Sequence, residues 1–322
     1  MRLRERRVAI TGAAGFIGSH LADVLAGSCD LVLIDNLSSG RKGNLAGALK
    51  KGRARFVKED LLGAKLPALL KGTEVVVHLA ANPDVRSSAD DPKPTFQENI
   101  VATFRLLEAS RKAGVKGFVL ASTSTVYGEA TRVPTPEEYG PLMPISMYGA
   151  SKLTCEALAA SFAHTYGMES VVFRFANVVG GRSRHGVVWD LVQKLKRNPK
   201  KLEIMGREPG TSKSYVHIED AVRGVLAGVD RASGLQDVFN VGSYDAISVK
   251  EIAEIIVREM GLSDVAFSWT GGVAGGGWKG DVKRMILDTA KLRTTGWRPK
   301  FTSAEAVAQA VRDSLNIRRK DA

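Results

Sequence analysis

The sequence predicts an α/β protein built on a doubly wound parallel sheet, with a smaller C-terminal lobe. Short apolar runs alternate with helical patterns from residue 7 to residue 174, and this alternation requires right-handed crossovers between parallel strands. The first run is followed by Gly12, Gly15 and Gly18. In such sheets ligands bind outside the carboxyl ends of the strands, so we expect a binding site at that edge.

The stretch Arg7 to Gly18, RVAITGAAGFIG, predicts a strand that turns directly into a helix. Val8 and Ile10 suit a buried parallel strand, whereas apolar residues recur with the helical period from Phe16 to Leu25. Glycines let a ligand approach the backbone, and the unpaired N–H groups of a helix start favour phosphate. We therefore predict that the turn binds a dinucleotide pyrophosphate. A glycine-rich turn without function is the alternative, since short glycine motifs also occur by chance.

The second strand tests this interpretation. Leu31 to Asp35, LVLID, is another apolar run, and it ends in a carboxylate. An acid about twenty residues beyond the glycines binds the adenosine ribose in dinucleotide sites. Asp35 is therefore predicted to favour NAD over NADP, because a carboxylate repels a 2′-phosphate. Arg41 and Lys42 lie close enough in sequence to neutralise such a phosphate, and a solvated strand end is the alternative interpretation of Asp35.

Further strands and helices follow in alternation. The patterns predict strands at 53–57, 74–79, 117–122 and 169–174, and helices at 95–113, 146–166 and 187–196. His78, at the end of an apolar run, is interpreted as a core histidine rather than a ligand. The stretch GGVAGGG at 271–277 predicts a loop.

The chain is long enough for one sheet and one appended lobe. Residues 1–174 are expected to form a Rossmann-type NAD-binding domain that also receives part of 211–245. Residues 175–322 are expected to form mainly a substrate-binding lobe.

Composition is that of a soluble globular protein, with 44% hydrophobic and 25% charged residues. The net charge of +12 favours anionic partners, but no basic groove with interleaved aromatic residues is visible, so nucleic acid is not expected. Cys29 and Cys155 are too few for a disulfide framework and too far apart for a metal pair. We therefore expect a cytoplasmic protein without a metal. Membrane spanning is not expected either, because no run of eighteen apolar residues occurs.

Tyr148 and Lys152 are four residues apart on a predicted helix, so their side chains lie on one face, about 6 Å apart along the axis. A phenol titrates near pH 10, but an adjacent ammonium and a positive nicotinamide favour the phenolate, which can act as a base. Thr123, just beyond the fifth strand, is placed to hydrogen-bond the same substrate hydroxyl. Alone, this spacing is usually helix surface. After a dinucleotide motif it indicates oxidation of an alcohol.

These motifs resemble the extended short-chain dehydrogenase/reductase family, along nearly the whole chain. The resemblance rests on TGAAGFIG at 11–18, DNLSSG at 35–40, Asp60-Leu61, HLAA at 78–81, Asn99, STSTVYG at 122–128 and YGASK at 148–152. Within the family the chain is similar to nucleotide-sugar epimerases of the UDP-glucose 4-epimerase type. RFANVVGGRSRHGVV and KSYVHIEDAV resemble archaeal members of that group.

The resemblance implies a catalytic triad of Thr123, Tyr148 and Lys152, with Tyr148 as the base. It implies NAD as cofactor, bound by residues of the quoted motifs: Gly12, Gly15, Phe16, Ile17, Gly18, Asp35, Asn36, Ser39, Gly40, Asp60, Leu61, Leu79, Ala80, Ala81, Asn99, Ser122, Tyr148 and Lys152. A nucleotide-sugar substrate is implied to contact Thr123, Asn177, Lys213 and Tyr215. A homodimer is also expected.

Two departures from the family pattern bear on the substrate. Related 4,6-dehydratases carry an Asp-Glu pair where this chain has Ser124-Thr125, and elimination of water needs such acid and base groups. Many epimerases carry a phosphate-binding arginine near the positions of Lys213 and Trp278. A lysine supplies one positive charge for the phosphate but lacks the two parallel N–H donors of an arginine. A tryptophan supplies no charge.

The function expected is NAD-dependent epimerisation at C4 of a nucleotide sugar, UDP-glucose and UDP-galactose or a close pair, through a transient 4-keto intermediate. Another extended short-chain enzyme on a sugar nucleotide is the first alternative: a dehydratase, a reductase or a dehydrogenase. A non-catalytic protein that binds NAD or nucleic acid is the second, since a fold alone does not decide function.

Overall fold

A computed structural model of the chain describes residues 1–63, 65–273 and 276–320, with side chains through residue 315. Part of the predicted loop at 271–277 therefore lies outside the described residues. The strands in these ranges are β1 (Arg7–Thr11), β2 (Asp30–Asp35), β3 (Ala54–Lys58), β4 (Val75–His78), β5 (Gly117–Thr123), β6 (Glu169–Phe175), β7 (Asn177–Val179), β8 (Lys201–Ile204), β9 (Ser212–Lys213), β10 (Tyr215–His217), β11 (Gln236–Val241), β12 (Ile247–Ser248), β13 (Ala266–Trp269) and β14 (Arg284–Met285).

The helices of the same ranges surround the strands. The α-helices are α1 (Phe16–Leu25), α2 (Ala46–Lys50), α3 (Leu66–Leu69), α4 (Pro92–Thr95), α5 (Ala102–Lys112), α6 (Met147–Tyr166), α7 (Val187–Arg197), α8 (Ile218–Arg231), α9 (Val249–Glu259), α10 (Ala290–Arg293) and α11 (Ser303–Lys320). Single 3₁₀ turns lie at Lys42–Leu45, Ser87–Ala89 and Ser124–Tyr127, and a π-helix at Phe96–Val101.

The central sheet has seven parallel strands in the order β11-β6-β5-β4-β1-β2-β3. The predicted fold class, a doubly wound parallel sheet, is confirmed. Helices cover both faces, so the strands are buried on two sides: Val8, Ala9 and Ile10 of β1 are fully buried. A continuous apolar run is the pattern that such a position requires.

The seventh strand, β11, comes from beyond residue 174 and pairs in parallel with β6. Helices α8 and α10 also pack on this sheet, because Val225 and Leu292 belong to the core formed by β1 and α1. Other elements of the second half pack into a second body around a separate core. This core joins α7, α9 and α11 through residues such as Leu191, Ile252 and Val307. No helix in the described residues is long and apolar enough to cross a membrane.

The helix predicted for 95–113 is irregular in its first half. The chain passes from α4 into the π-helix Phe96–Val101 and only then into α5. π-Helical turns are frequent at functional sites. Here the turn contains the buried Asn99.

Candidate active site

One cavity of about 740 Å³ opens at the carboxyl edge of the sheet and continues into the second body. Most of the residues predicted to bind a ligand line it: Gly12, Gly15, Phe16, Ile17, Gly18, Asp35, Asn36, Ser39, Asp60, Leu61, Leu79, Ala80, Ala81, Ser122, Thr123, Tyr148, Lys152, Asn177 and Tyr215. Gly40, Asn99 and Lys213 are not among its lining residues.

The glycine turn is shaped for close approach. Gly12 has φ +66°, and a Cβ there would lie 2.6 Å from the Ala80 backbone nitrogen. Helix α1 begins at Phe16 after Gly15, and no side chain caps it. The first N–H groups of the helix are thus left to a ligand in the cavity, and this arrangement fits a dinucleotide pyrophosphate.

Asp35 ties the glycine turn to the segment that follows β2. Its carboxylate is 7% exposed and accepts hydrogen bonds from the backbone N–H groups of Ala14, at 3.0 Å, and Leu37, at 2.7 Å. Gly40 packs directly behind it, since a Cβ on Gly40 would lie 2.9 Å from Asp35 Oδ1. Gly40 therefore supports the acid rather than lining the cavity. Asn36 donates to Asp60 Oδ2 at 2.9 Å.

Thr123 ends β5 with its hydroxyl oxygen at the cavity. Thr123 Oγ1 accepts two hydrogen bonds of 3.2 Å, from the backbone N–H and from the hydroxyl of Thr125. A hydroxyl has one donor and two acceptor positions. With both acceptor positions used, the Thr123 proton is left to donate to a substrate oxygen.

Tyr148 and Lys152 lie in the first two turns of α6. The helix begins after Ser146, whose hydroxyl accepts a hydrogen bond from the Gly149 N–H at 3.1 Å, a standard N-cap. Lys152 is 4% exposed and donates from Nζ to the Ala121 carbonyl at 2.9 Å. Thr123 at the end of β5 and Tyr148 on α6, 25 residues later in the chain, thus line the same cavity together with Lys152.

Burial controls the titration of both groups in the chain alone. It raises the pKa of Tyr148 to about 12 and lowers the pKa of Lys152. In the chain alone, desolvation thus moves the pKa of this phenol away from neutrality, and the effect of a bound nicotinamide on it stays a prediction.

Asn99, which was expected to bind the cofactor, and His78, which was expected to be a core histidine, both lie outside the cavity lining. Asn99 accepts from the Asn82 N–H at 2.7 Å and donates to Ser151 Oγ at 2.9 Å, so it fixes α6 against the loop after β4. His78 is bonded through both ring nitrogens, to Thr11 at 2.7 Å and Thr103 at 2.8 Å. Burial lowers the pKa of His78 to about 3, as expected for a neutral core histidine.

The far end of the cavity is formed by the second body. Asn177 Nδ2 donates to the Ser214 carbonyl at 3.0 Å, which fixes its side chain. Burial raises the pKa of the neighbouring Tyr215, so its phenol is neutral. Lys213 departs from the expectation, because its ammonium is paired with the buried Asp281 at 2.5 Å and lies 5.4 Å from the centre of the Trp278 ring.

Sequence reasoning missed two sets of residues. Arg182 to His185 line the cavity wall after β7, and two arginines and a histidine directly after a strand end were a usable signal. Glu156 and Arg174 form a buried ion pair of 2.7 Å below the cavity. Charged residues within otherwise apolar patterns could have indicated this pair. Among the described residues, no group of three or more His, Cys, Asp or Glu could hold a metal ion.

Fold and site together define a class of protein: a Rossmann-type protein with a cleft shaped for a dinucleotide. A glycine turn fits the pyrophosphate, and a threonine, a tyrosine and a lysine line the same cavity. The chain belongs to the NAD dependent epimerase/dehydratase family, whose model matches residues 8–242. Its cofactor is accordingly NAD.

Three relatives show how widely the likeness extends. A putative UDP-glucose 4-epimerase of Methanocaldococcus jannaschii is 30% identical, covering 94% of this chain and 97% of the relative. A crystal structure of a UDP-galactose 4-epimerase has a TM-score of 0.86 at 42% identity, covering 97% and 99% of the two chains. A UDP-N-acetylglucosamine 4-epimerase from Methanobrevibacter ruminantium M1, in complex with UDP-N-acetylmuramic acid, has a TM-score of 0.87 at 27% identity, covering 98% and 100%. This chain is thus an enzyme of the nucleotide-sugar epimerase/dehydratase family.

Proposed function

We propose that the chain interconverts the C4 epimers of a UDP-sugar, UDP-glucose and UDP-galactose or a close pair. The observation that carries this proposal is that Thr123 and Tyr148 line the same cleft, whose wall at residues 121–125 contains no carboxylate. Such a site can oxidise and reduce an alcohol, but it lacks an acid and base pair for elimination.

The roles of the residues follow from their hydrogen bonds. Tyr148 takes the proton of the sugar 4-hydroxyl as that carbon is oxidised, and returns it when the carbon is reduced. Thr123 donates its free proton to the same oxygen and fixes its direction. Lys152, anchored to the Ala121 carbonyl, keeps a positive charge beside the phenol. NAD, when bound, supplies the acceptor and donor of the hydride.

Epimerisation also requires that the keto sugar present both of its faces. The nucleotide must stay bound while the sugar turns, and Asn177 and Tyr215 of the second body are proposed to hold it. Both line the cavity. Lys213 is already paired with Asp281, so its contribution to the substrate phosphates is smaller than a free ammonium would give.

A dehydratase is disfavoured by the same segment. Ser124 is 5% exposed, and the Thr125 hydroxyl donates to Thr123. Neither side chain is an ionisable group at neutral pH, whereas elimination of water needs a base and an acid at adjacent carbons.

The enzyme is proposed to act as a homodimer through the outer face of the π-helix, α5 and α6. Phe96 and Phe104 are each 46% exposed, and Tyr166 is 51% exposed. Phe104 contacts Phe162 of α6 with ring centres 6.2 Å apart, so the aromatic groups form one surface. Exposed apolar surfaces of this kind mark interaction sites. Sedimentation of the wild type and of Phe104→Glu tests the proposal, and a wild-type monomer at micromolar concentration refutes it.

The proposed reaction is tested with a panel of sugar nucleotides. Purified protein is incubated without added cofactor, products are separated by chromatography, and NADH is followed by absorbance. We expect the C4 epimer without accumulation of NADH. Stoichiometric NADH would indicate a dehydrogenase, and a 4-keto-6-deoxy product a dehydratase. An absence of any reaction would refute catalysis on these substrates.

A further inference from the structure

We propose that Glu156 is a positioning residue for the reaction, which holds Ser122 so that Thr123 and Tyr148 stay aligned on the substrate hydroxyl. The proposal rests on the function proposed above. It assigns a role to a buried ion pair, Glu156 with Arg174, that no step of the reaction uses.

Two contacts connect helix α6 to the end of strand β5. Lys152 Nζ bonds the Ala121 carbonyl at 2.9 Å, and the Ser122 hydroxyl donates to Glu156 Oε1. Lys152 and Glu156 are one helical turn apart on α6, while Ala121 and Ser122 are consecutive on β5. The two contacts therefore limit both translation of α6 along its axis and rotation of α6 about that axis, relative to β5.

The reacting pair lies directly beside these contacts. Thr123 is the residue after Ser122 on β5, and Tyr148 is one turn before Lys152 on α6. The distance between the Thr123 and Tyr148 hydroxyls therefore depends on the alignment of β5 with α6. A catalytic pair must hold its geometry closely, since a 1 Å misplacement costs about 10²-fold in rate.

Arg174 holds the Glu156 carboxylate in place. It lies directly opposite Ser122 in the sheet and bonds Glu156 from Nε at 3.1 Å and from Nη2 at 2.7 Å. Both side chains are only 6% exposed. Nη1 of Arg174 donates to the Tyr127 hydroxyl and to the Glu137 carbonyl, each at 3.0 Å. The carboxylate is thus bonded from three donor groups and cannot turn away from Ser122.

Stability alone does not account for this arrangement. Replacing a buried ion pair by apolar residues of similar volume is often neutral or stabilising, whereas removing one partner leaves an unpaired charge. The Glu156–Arg174 pair also holds Ser122, which precedes Thr123 in the chain. Positioning of Thr123 is therefore a reason for the charges that is separate from stability. Ser122 provides the test, because Ser122→Ala breaks the contact with Glu156 and leaves the ion pair complete.

The experiment compares Ser122→Ala with Ser170→Ala, which removes another buried hydroxyl from the same sheet. Ser170 is 2% exposed, and its hydroxyl has no partner among the described residues. For Ser122→Ala we expect kcat to fall about 10-fold while KM and the bound NAD per chain stay unchanged. Ser170→Ala should match the wild type. A kcat for Ser122→Ala within twofold of wild type overturns the proposal, and a loss of bound NAD would assign Ser122 to the cofactor site instead.

A double variant, Glu156→Leu with Arg174→Met, removes both charges together. We expect it to fold and to show the same loss of kcat as Ser122→Ala. If it does not fold, Ser122→Ala alone decides the question.

A second readout does not depend on turnover. The ionisation of Tyr148 is measured as the ultraviolet difference between each protein and its Tyr148→Phe counterpart. Tyr148 lines the cavity, so a shift of α6 changes the surroundings of its phenol. The Ser122→Ala midpoint should therefore differ from the wild-type midpoint by at least about half a pH unit, whereas Ser170→Ala should keep it. If the wild type turns over no sugar nucleotide, the proposed function fails and this titration still decides the positioning role: an unchanged midpoint then refutes it.

Discussion

The backbone N–H of Ala14, inside the glycine turn, donates a hydrogen bond to Asp35 Oδ2 at 3.0 Å. Together with the bond from Leu37, this contact fixes the carboxylate at the place where the adenosine ribose of a dinucleotide is expected. Asp35 thus both shapes the turn and supplies a negative charge to the cavity.

We predict that this charge selects NAD. A buried carboxylate facing a 2′-phosphate costs several kcal/mol, so the protein stripped of cofactor should bind NAD at least about 10²-fold more tightly than NADP. In Asp35→Asn the ratio should fall to about 10-fold or less, since the repulsion is gone. Titration calorimetry measures both affinities. Equal or tighter NADP binding by the wild type would mean that Arg41 and Lys42 neutralise the phosphate.

Loss of the phenol at position 148 should abolish turnover without unfolding the protein. Tyr148→Phe removes one oxygen and leaves the ring, and a positioned general base contributes roughly 10²- to 10⁴-fold to rate. Tyr244→Phe is the matched control and should keep wild-type kcat, because Tyr244 is 59% exposed and is not among the residues that line the cavity. A Tyr148→Phe enzyme within a few-fold of wild type would place the base elsewhere.

Gly12 is predicted to tolerate no side chain. Its φ of +66° is strained for alanine by about 1–2 kcal/mol, and a Cβ would meet the Ala80 backbone at 2.6 Å. Gly12→Ala should lower the free energy of unfolding by at least about 2 kcal/mol and reduce the bound NAD. Gly43→Ala is the control, because a Cβ there meets nothing within 4 Å. Equal denaturation midpoints and equal NAD contents for the two variants would contradict this account of the turn.

His78 should make the folded chain less stable in acid. Burial lowers its pKa from 6.5 to about 3, so between these values the unfolded chain binds a proton that the folded chain does not. Its contribution to stability is complete above pH 6.5 and is lost as the pH falls toward 3, by up to about 5 kcal/mol.

Urea unfolding between pH 7 and pH 4 measures this effect. His78→Gln should flatten the loss of stability in that range, whereas the exposed His164→Gln should leave the wild-type slope. Parallel curves for wild type and His78→Gln would show that the histidine is not the titrating group.

Local patterns predicted the elements that carry strong sequence signals. The apolar run of β1, the glycines after it and the acid at the end of β2 depend on nearby residues alone, and the structure has all three where they were expected. The helix at 187–196 was also found, as Val187–Arg197. The sequence did not predict which distant residues contact each other. Lys213 pairs with Asp281, 68 positions away, and its pairing partner decides whether its charge is available to a phosphate.

The pKa of Tyr148 shows the same limit at the site. Its spacing from Lys152 was visible in the sequence, but the degree of burial was not. Burial is set by how α6 packs on the sheet, and it raises the pKa of Tyr148 in the chain alone. The pair Glu156 and Arg174 likewise required the register of β5 with β6, which no local pattern specifies.

If one carbon of the bound sugar is first oxidised and then reduced, the hydrogen at C4 must leave that carbon and return to it. UDP-galactose carrying deuterium at C4 is incubated with the purified protein in ordinary water, without added cofactor, and the product is analysed by mass spectrometry and proton NMR. We expect UDP-glucose that retains the deuterium at C4, since the same hydrogen leaves and returns within the closed site. Product with ordinary hydrogen at C4, or deuterium recovered in free reduced dinucleotide, would contradict this expectation.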